Sequence, residues 1–330
     1  MSKGWRFLGN EREYVDEVLT SGFGASESGS MNERLEKKFA DLHKKKFAIS
    51  ANSGTSTLHM ALNAFGVRPG DEVIIPALTV AMPGFAVWQC GAIPVFADVL
   101  EDTFLMNPDD VRKKINSKTK AIMPVHMYGN MCNMDSIMKL ANEHKLFVLE
   151  DCAESLYASN DKDQKAGTIG HVGSWSFENS KHLSTGDGGI VATNDEELAT
   201  KMRQFGGVGF KNITAKTGKV RISRDQFQDP KYERHNMFAY NYRLPELCAA
   251  IGLAQCERLS YFVELRELMG QSYLNTINDS DLFLVQKTES GYRNTYWTFA
   301  ARFLGNDYGI SWYDFRKKYV ENGGDGIYSA

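Results

Sequence analysis

Lys181 sits in the polar turn Glu178-Asn179-Ser180-Lys181-His182, just past the β-prone run Ser174-Trp175-Ser176-Phe177. The glycine cluster Gly186-Asp187-Gly188-Gly189 and the apolar run Ile190-Val191-Ala192 follow. Thirty residues before the lysine (181 − 151), the buried-strand pattern Leu146-Phe147-Val148-Leu149 ends in Glu150-Asp151. A lysine amine and a partly desolvated carboxylate, each placed just after an apolar strand, could hold the two ends of a pyridoxal 5'-phosphate (PLP) ring. PLP chemistry needs an amine that condenses with the aldehyde and an acid that keeps the pyridine nitrogen protonated. It also needs donors for the phosphate and a group that moves a proton at the reacting carbon. Lys181 could serve as the first and the last, and Asp151 as the second. Ser176, Thr55 and Ser56 could donate to the phosphate. Each residue also has an ordinary reading. A lysine in a turn is most often solvated, and an aspartate after a strand is often a helix cap. Composition and spacing alone reach an α/β enzyme whose reaction stays open.

The elements around these residues alternate. Helices are expected over Glu11 to Leu19, along Met31, Leu35, Phe39 and Leu42, and over Thr57 to Phe65. Others are expected around Phe85 to Gln89, near Pro108 to Ile115, from about Met134 to His144 and over Asn194 to Phe205. Strands are expected at Phe47-Ala48-Ile49, Glu72 to Ile75, Pro94 to Ala97 and Lys120 to Val125. Short continuous apolar strands alternating with helices predict an α/β domain with a largely parallel buried sheet. Ligands in such sheets sit at the carboxyl ends of the strands. The turn Asn52-Ser53-Gly54-Thr55-Ser56, Thr79, His126 and Asp151 all fall just after strands. The Ser53 turn opens a helix, where free N–H groups and the helix dipole favour a phosphate; a plain capping turn is the other reading.

Ser26-Glu27-Ser28-Gly29-Ser30 is expected to be a loop. The polar segment Gly206 to His235 carries seven basic residues (Lys211, Lys216, Lys219, Arg221, Arg224, Lys231, Arg234) against three acids (Asp225, Asp229, Glu233). It reads either as a rim that attracts an anionic substrate or as a solvated basic loop. Asn241-Tyr242-Arg243-Leu244-Pro245 precedes a long helix expected from Glu246 to about Leu274, leading into a smaller second domain.

Composition narrows the class. The chain has 330 residues, enough for one large domain and a smaller one. A net charge of −3 gives no nucleic-acid footprint. No apolar run approaches the roughly 18 residues that span a bilayer. The start, Met1-Ser2-Lys3-Gly4-Trp5-Arg6, lacks the apolar core of a signal peptide, so a cytoplasmic protein is expected. The five cysteines show no CxxC spacing, which suggests neither a zinc site nor a redox pair; no metal is expected.

The motifs then come in an ordered set: Ser53-Gly54-Thr55, Pro69-Gly70-Asp71-Glu72-Val73, Pro94-Val95-Phe96, Thr119-Lys120-Ala121-Ile122, Val125-His126-Met127-Tyr128-Gly129, Glu150-Asp151-Cys152-Ala153, Ser176-Phe177 with Lys181, and Gly186-Asp187-Gly188-Gly189. From about Gly22 to Glu246 the chain resembles the DegT/DnrJ/EryC1/StrS family of PLP-dependent sugar aminotransferases. The resemblance implies the aspartate aminotransferase-like fold (PLP-dependent transferase fold type I). That fold has a large domain with a mostly parallel seven-stranded sheet and a smaller C-terminal α+β domain. Residues 1–30 would be an N-terminal helix and arm, 31–245 the large PLP-binding domain, and 246–330 the small domain. Family members continue some tens of residues further, so that last unit is expected to be truncated.

The resemblance implies Lys181 as the cofactor-bearing lysine and Asp151 as partner of the pyridine nitrogen. Gly54, Thr55, Ser56 and Ser176 would hold the phosphate, with Asn241 reaching it from the other subunit of a homodimer. Glu154 would lie near the cofactor, where many members carry Gln or His; some sugar 4-aminotransferases carry an acid there. A second carboxylate at that place is repelled unless one of the two is protonated. Val80 stands where many members stack an aromatic residue. Arg243, His126 and His182 are candidates for substrate contact. The implied reaction moves an amino group from glutamate to a nucleotide-linked keto-deoxysugar. Same-fold sugar dehydratases, which carry His in place of the lysine, cyclitol aminotransferases and non-catalytic PLP-binding regulators are the alternatives.

Overall fold

Apolar runs of four or five residues form the sheet, because each buries side chains on both faces. In the computed structural model, which describes residues 6–24, 29–218, 222–277, 279–324 and 327, these runs are β1 (Phe47–Ala51), β2 (Glu72–Pro76), β3 (Ile93–Ala97), β4 (Thr119–Ile122), β5 (Phe147–Asp151), β6 (Val172–Ser176) and β7 (Gly189–Thr193). They form one seven-stranded sheet in the order β1-β7-β6-β5-β4-β2-β3. The pairs from β3 through β6 are parallel; β7 runs antiparallel to both β6 and β1. The sheet is therefore mostly parallel, as expected.

Strand alternation splits the core. Ile74, Ile122 and Val148 face a layer built from α2 (Met31–Leu42), α5 (Pro108–Lys114), α6 (Met134–His144) and α9 (Glu246–Glu257). Val73, Ile75, Ala121 and Leu149 face α3 (Gly54–Ala64), α4 (Met82–Gln89) and α7 (Glu196–Gly206). Helix α1 (Glu11–Thr20) lies on α9. Helix α2 starts at a capping box, in which the Ser30 hydroxyl accepts from Glu33 N–H and the Glu33 carboxylate accepts from Ser30 N–H. Beyond α9 come α10 (Leu259–Ile277), the two-stranded antiparallel sheet of β8 (Phe283–Val285) and β9 (Ala301–Phe303), and α11 (Trp312–Glu321).

Some boundaries differ from the sequence expectation, each for a local reason. Helix α3 starts at Gly54 rather than Thr57, because extended Ser53 caps it by accepting from Ser56 N–H. The polar turn is thus the helix's own first turn. Strand β4 ends at Ile122, short of Val125; Pro124 has no N–H to give a ladder, yet its carbonyl still accepts from Asp151 N–H at 2.9 Å. The expected long helix breaks at Arg258, whose φ of −113° leaves the helical region, so α9 and α10 are separate. The polar segment after Gly206 contains a short helix, α8 (Arg224–Gln228). Its Lys216 pairs with Glu196 at 2.8 Å, and Arg234 lies over the Phe227 ring. Lys219 and Arg221 of that segment, residues 26–28 of the expected loop and residues 1–5 lie outside the described residues. Among the described residues no helix is long and apolar enough to cross a membrane.

The fully buried Phe39 of α2 meets Trp175 and Phe177 edge-on, with ring centroids 5.0 and 5.8 Å away. These rings back the strand that leads to the lysine turn. Phe39→Ala should cost about 3–5 kcal/mol of stability, measured by urea unfolding; a loss below about 1 kcal/mol would mean the rings do not form a packed core there.

Candidate active site

Neighbouring residues of a strand point to opposite faces, and this separates the two carboxylates that end β5. Glu150 is fully buried and accepts from Gly167, Ile169 and Gly170 N–H at 2.8, 2.8 and 2.5 Å, and it meets His126 Nε2 at 3.0 Å. It ties a loop to the sheet. Asp151 is also buried, but among the described residues its carboxylate accepts only from Ala153 N–H, at 3.0 Å. Burial raises its proton affinity above the usual carboxylate range, against the Ala153 hydrogen bond and the attraction of Lys181. A buried, under-satisfied carboxylate of this kind fits a protonated ring nitrogen as its partner.

Lys181 lies in the turn beyond β6, and its side chain is 13% exposed. Its Nζ stands 3.4 Å from Glu154 Oε1 and 3.9 Å over the ring of Trp297. The other Glu154 oxygen accepts from Tyr128 N–H at 2.9 Å. Burial raises the Glu154 pKa, opposed by Lys181 and the Tyr128 hydrogen bond and reinforced by the Asp151 charge. Lys181, Asp151 and Glu154 thus act on one another electrostatically at the carboxyl end of β5.

A third cluster lies at the start of α3. The first N–H groups of a helix have no intrahelical acceptor. A Cβ on Gly54 would come within 2.7 Å of Ser176 Cβ and 3.1 Å of Ser176 Oγ, so only glycine lets the helix end approach the end of β6 this closely. Thr55 and Ser56 follow in the same turn; the Ser56 hydroxyl donates to Asn52 Oδ1 at 2.7 Å. In the loop after β2, Thr79 Oγ1 is buried with no hydrogen-bond partner among the described residues. The helix N-terminus, the Ser176 and Thr79 hydroxyls and the near-buried lysine, as donors, with the buried Asp151 carboxylate as acceptor, make a set that fits PLP. Asp151 would face the ring nitrogen, the α3 turn and Ser176 the phosphate, and Lys181 the aldehyde.

The other expected residues are placed differently. Both ring nitrogens of buried His126 are engaged: Nδ1 accepts from Cys132 N–H at 3.1 Å, which puts the proton on Nε2 facing Glu150. It is therefore not free to meet a substrate. His182 is buried behind the lysine, its Nε2 donating to Thr295 O at 2.8 Å; burial, with Arg266 and Lys181 nearby, lowers its pKa to about 3. Asn241 and Arg243 are exposed, on a strip whose Tyr242 carbonyl accepts from Asn52 N–H at 2.8 Å. Their side chains do not enter this chain's lysine cluster. Thr79 was visible in the sequence only by its place after a strand. Trp297 and Arg266 gave no sequence signal, since they lie beyond the motif series.

A mostly parallel sheet with a lysine and a buried aspartate gathered at its carboxyl edge, and with a phosphate-ready helix end beside them, defines a PLP-dependent enzyme of the aspartate aminotransferase type. Comparison with known proteins agrees. The sequence profile of the DegT/DnrJ/EryC1/StrS aminotransferase family matches residues 8–306, and the chain belongs to that family. It is 38% identical over 289 residues to the GDP-perosamine synthase of Escherichia coli O157:H7, covering 88% of this chain and 74% of that protein. The structure of the aminotransferase from Psychrobacter cryohalolentis superposes with a TM-score of 0.84 at 29% identity, covering 96% of this chain and 81% of the other. A GDP-4-keto-6-deoxymannose-3-dehydratase solved with bound GDP-perosamine gives 0.84 at 26%, covering 95% and 81%. The protein is a PLP-dependent sugar aminotransferase.

The raised proton affinity of Asp151 has a consequence for the cofactor-free protein. A raised carboxylate pKa means the ionised form is disfavoured in the folded state. The resulting penalty is absent at low pH, where folded and unfolded chains are both protonated. It grows as pH rises from the ordinary aspartate value of about 4 to the raised folded value, and is full above that. Asp151→Asn should therefore stabilise the cofactor-free protein at neutral pH, with the gain vanishing below about pH 4, while weakening PLP binding. Thermal unfolding of both proteins across pH checks this; a gain independent of pH would contradict it.

Proposed function

We propose that this enzyme takes an amino group from glutamate and delivers it to the keto carbon of a nucleotide-linked deoxysugar, with a GDP-linked 4-keto-6-deoxy sugar as the acceptor. The observation that carries the reading is the Lys181 amine held beside Glu154 at 3.4 Å, within electrostatic reach of buried Asp151. The nucleotide follows from the E. coli relative named for GDP-perosamine, and the keto sugar from the similar structure named for GDP-4-keto-6-deoxymannose. PLP, when bound, supplies the electron sink. The chain supplies the rest. Asp151 holds a proton on the ring nitrogen, the α3 turn fixes the phosphate, and Lys181 moves the proton at the reacting carbon.

The dehydratase shares the fold, so the fold does not choose between the two reactions. The residue at position 181 does: a lysine amine can carry the cofactor and then shuttle the proton, whereas the resemblance assigns a histidine there to dehydratases. The presence of Lys181, Asp151 and Ser176 together disfavours a purely regulatory role, which would not need the electron-sink chemistry they support.

A homodimer in the cytoplasm is part of the proposal. Phe85 and Trp88 of α4 and Phe96 of the edge strand β3, which points to the α4 side of the sheet, are each about half or more exposed, an apolar surface of the kind buried between subunits. Exposed Asn241 would then reach the partner's phosphate site, and Arg243 a carboxylate or phosphate of the substrate. The smaller domain is proposed to begin within α10 rather than at Glu246. Ala249, Ala250, Leu253, Leu259 and Val263 all belong to the large domain's core, and α10 becomes exposed only afterwards.

Purified protein should show the visible absorbance of bound PLP, lose it on adding glutamate, and convert GDP-4-keto-6-deoxymannose to an aminated product seen by mass spectrometry. Lys181→Ala should lower turnover by roughly 10²–10⁴-fold or more. A deoxygenated product without nitrogen, or a wild-type protein that binds no PLP, would overturn the proposal.

A further inference from the structure

The turn Tyr128–Gly129 fixes two things at once. Tyr128 N–H holds the Glu154 carboxylate at 2.9 Å. Gly129 lets a distant segment, residues 294–297, cross it. Thr295 N–H donates to Gly129 O at 2.9 Å, and a Cβ on Gly129 would fall 2.2 Å from Tyr296 N and 2.7 Å from Trp297 N. Gly129 also has φ of +108°, which favours glycine. The segment that crosses there brings the Trp297 ring 3.9 Å from Lys181 Nζ.

The ring is tied to the lysine turn directly. Trp297 Nε1 donates to Ser180 O at 3.2 Å. Arg266 of α10 donates to Trp297 O, to Ser180 O at 2.6 Å and to Lys181 O at 3.3 Å. Arg6 donates to Asn179 O at 2.6 Å, to Lys181 O and to His182 O at 3.3 Å. Two guanidinium groups thus hold the backbone of the lysine turn, and one of them also holds the tryptophan. The relative position of indole face and amine is built in by these hydrogen bonds.

We infer that Trp297 is a positioning residue for amino transfer: its ring face and the Glu154 carboxylate together form the resting place of the Lys181 amine whenever that amine is free. A lysine side chain otherwise samples many rotamers. An aromatic face attracts a cation, tryptophan most strongly, and more so where water is excluded. During each transfer the lysine leaves the cofactor and returns to it, so a fixed resting place keeps the amine within reach for proton movement and for return.

The inference rests on the proposed role of Lys181, and the experiment separates the two. PLP is added to cofactor-free protein, and the growth of visible absorbance is followed for wild type, Lys181→Ala, Trp297→Leu and Trp297→Phe. Wild-type protein that fails to load, or Lys181→Ala that loads equally, defeats the role of Lys181 itself. With that role intact, Trp297→Leu should load about tenfold more slowly, and Trp297→Phe, which keeps a ring face, should stay within about threefold of wild type. Equal rates for wild type and Trp297→Leu overturn the inference. A Trp297→Phe protein as slow as Trp297→Leu also overturns it, because the indole N–H to Ser180 O would then be the feature that matters. Should Trp297→Leu not fold, reductive methylation of cofactor-free wild type with isotope-labelled methyl groups gives an independent readout. The Lys181 resonance, identified by its loss in Lys181→Ala, should be displaced by the indole ring current from those of the other lysines. A resonance at the ordinary lysine position overturns the inference.

Discussion

One positive and two negative groups share a nearly water-free space at the end of β5. Lys181 is the cation; Asp151 and Glu154 are the anions, and burial raises the proton affinity of both. Buried charge is tolerated when paired, and one lysine does not balance two carboxylates. The imbalance calls either for a bound proton or for a second cation. A protonated pyridine nitrogen held against Asp151, as proposed, would supply that cation and leave Glu154 to pair with Lys181. On that reading a nitrogen heterocycle suits the site by charge balance, and the same balance would accommodate an acid at position 154.

The sheet makes this arrangement possible. Parallel strands deliver their last residues to one edge, so Asp151 after β5, Ser176 at the end of β6 and Thr79 after β2 converge although they are far apart in sequence. Strand pleating sends Glu150 to the opposite face, where three N–H groups and His126 satisfy it. One of two adjacent acids is therefore spent on the scaffold, and the other is left within electrostatic reach of Lys181. The turn after β6 is held in turn by Arg6 and Arg266, whose donors go to the carbonyls of residues 179–182. The Lys181 backbone is thus fixed from the N-terminal segment and from α10.

Much of this was legible in the chain. Apolar runs of period suited to buried strands marked the sheet, and the residues following them marked the edge where ligands bind. Lys181, Asp151, Ser176 and the Gly54 turn are all singled out this way, and the structure brings them to the same edge of the sheet. The histidines were not: a sequence shows that His126 follows a strand, but not that Cys132 N–H and Glu150 take both its nitrogens. Helix ends were missed where a single residue decides them, as Ser53 does for α3 and Arg258 for the break between α9 and α10. Trp297 was invisible because its role depends on a crossing over Gly129, 168 residues earlier (297 − 129), and long-range contacts of that kind leave no local pattern.

The covalent bond proposed between one lysine and the cofactor can be located chemically. Borohydride reduction of the PLP-loaded protein fixes that bond, and peptide mass spectrometry then finds the modified residue. A phosphopyridoxyl group on Lys181 alone is the expected result. A label on a different lysine, or no label in protein that carries bound PLP, would contradict it.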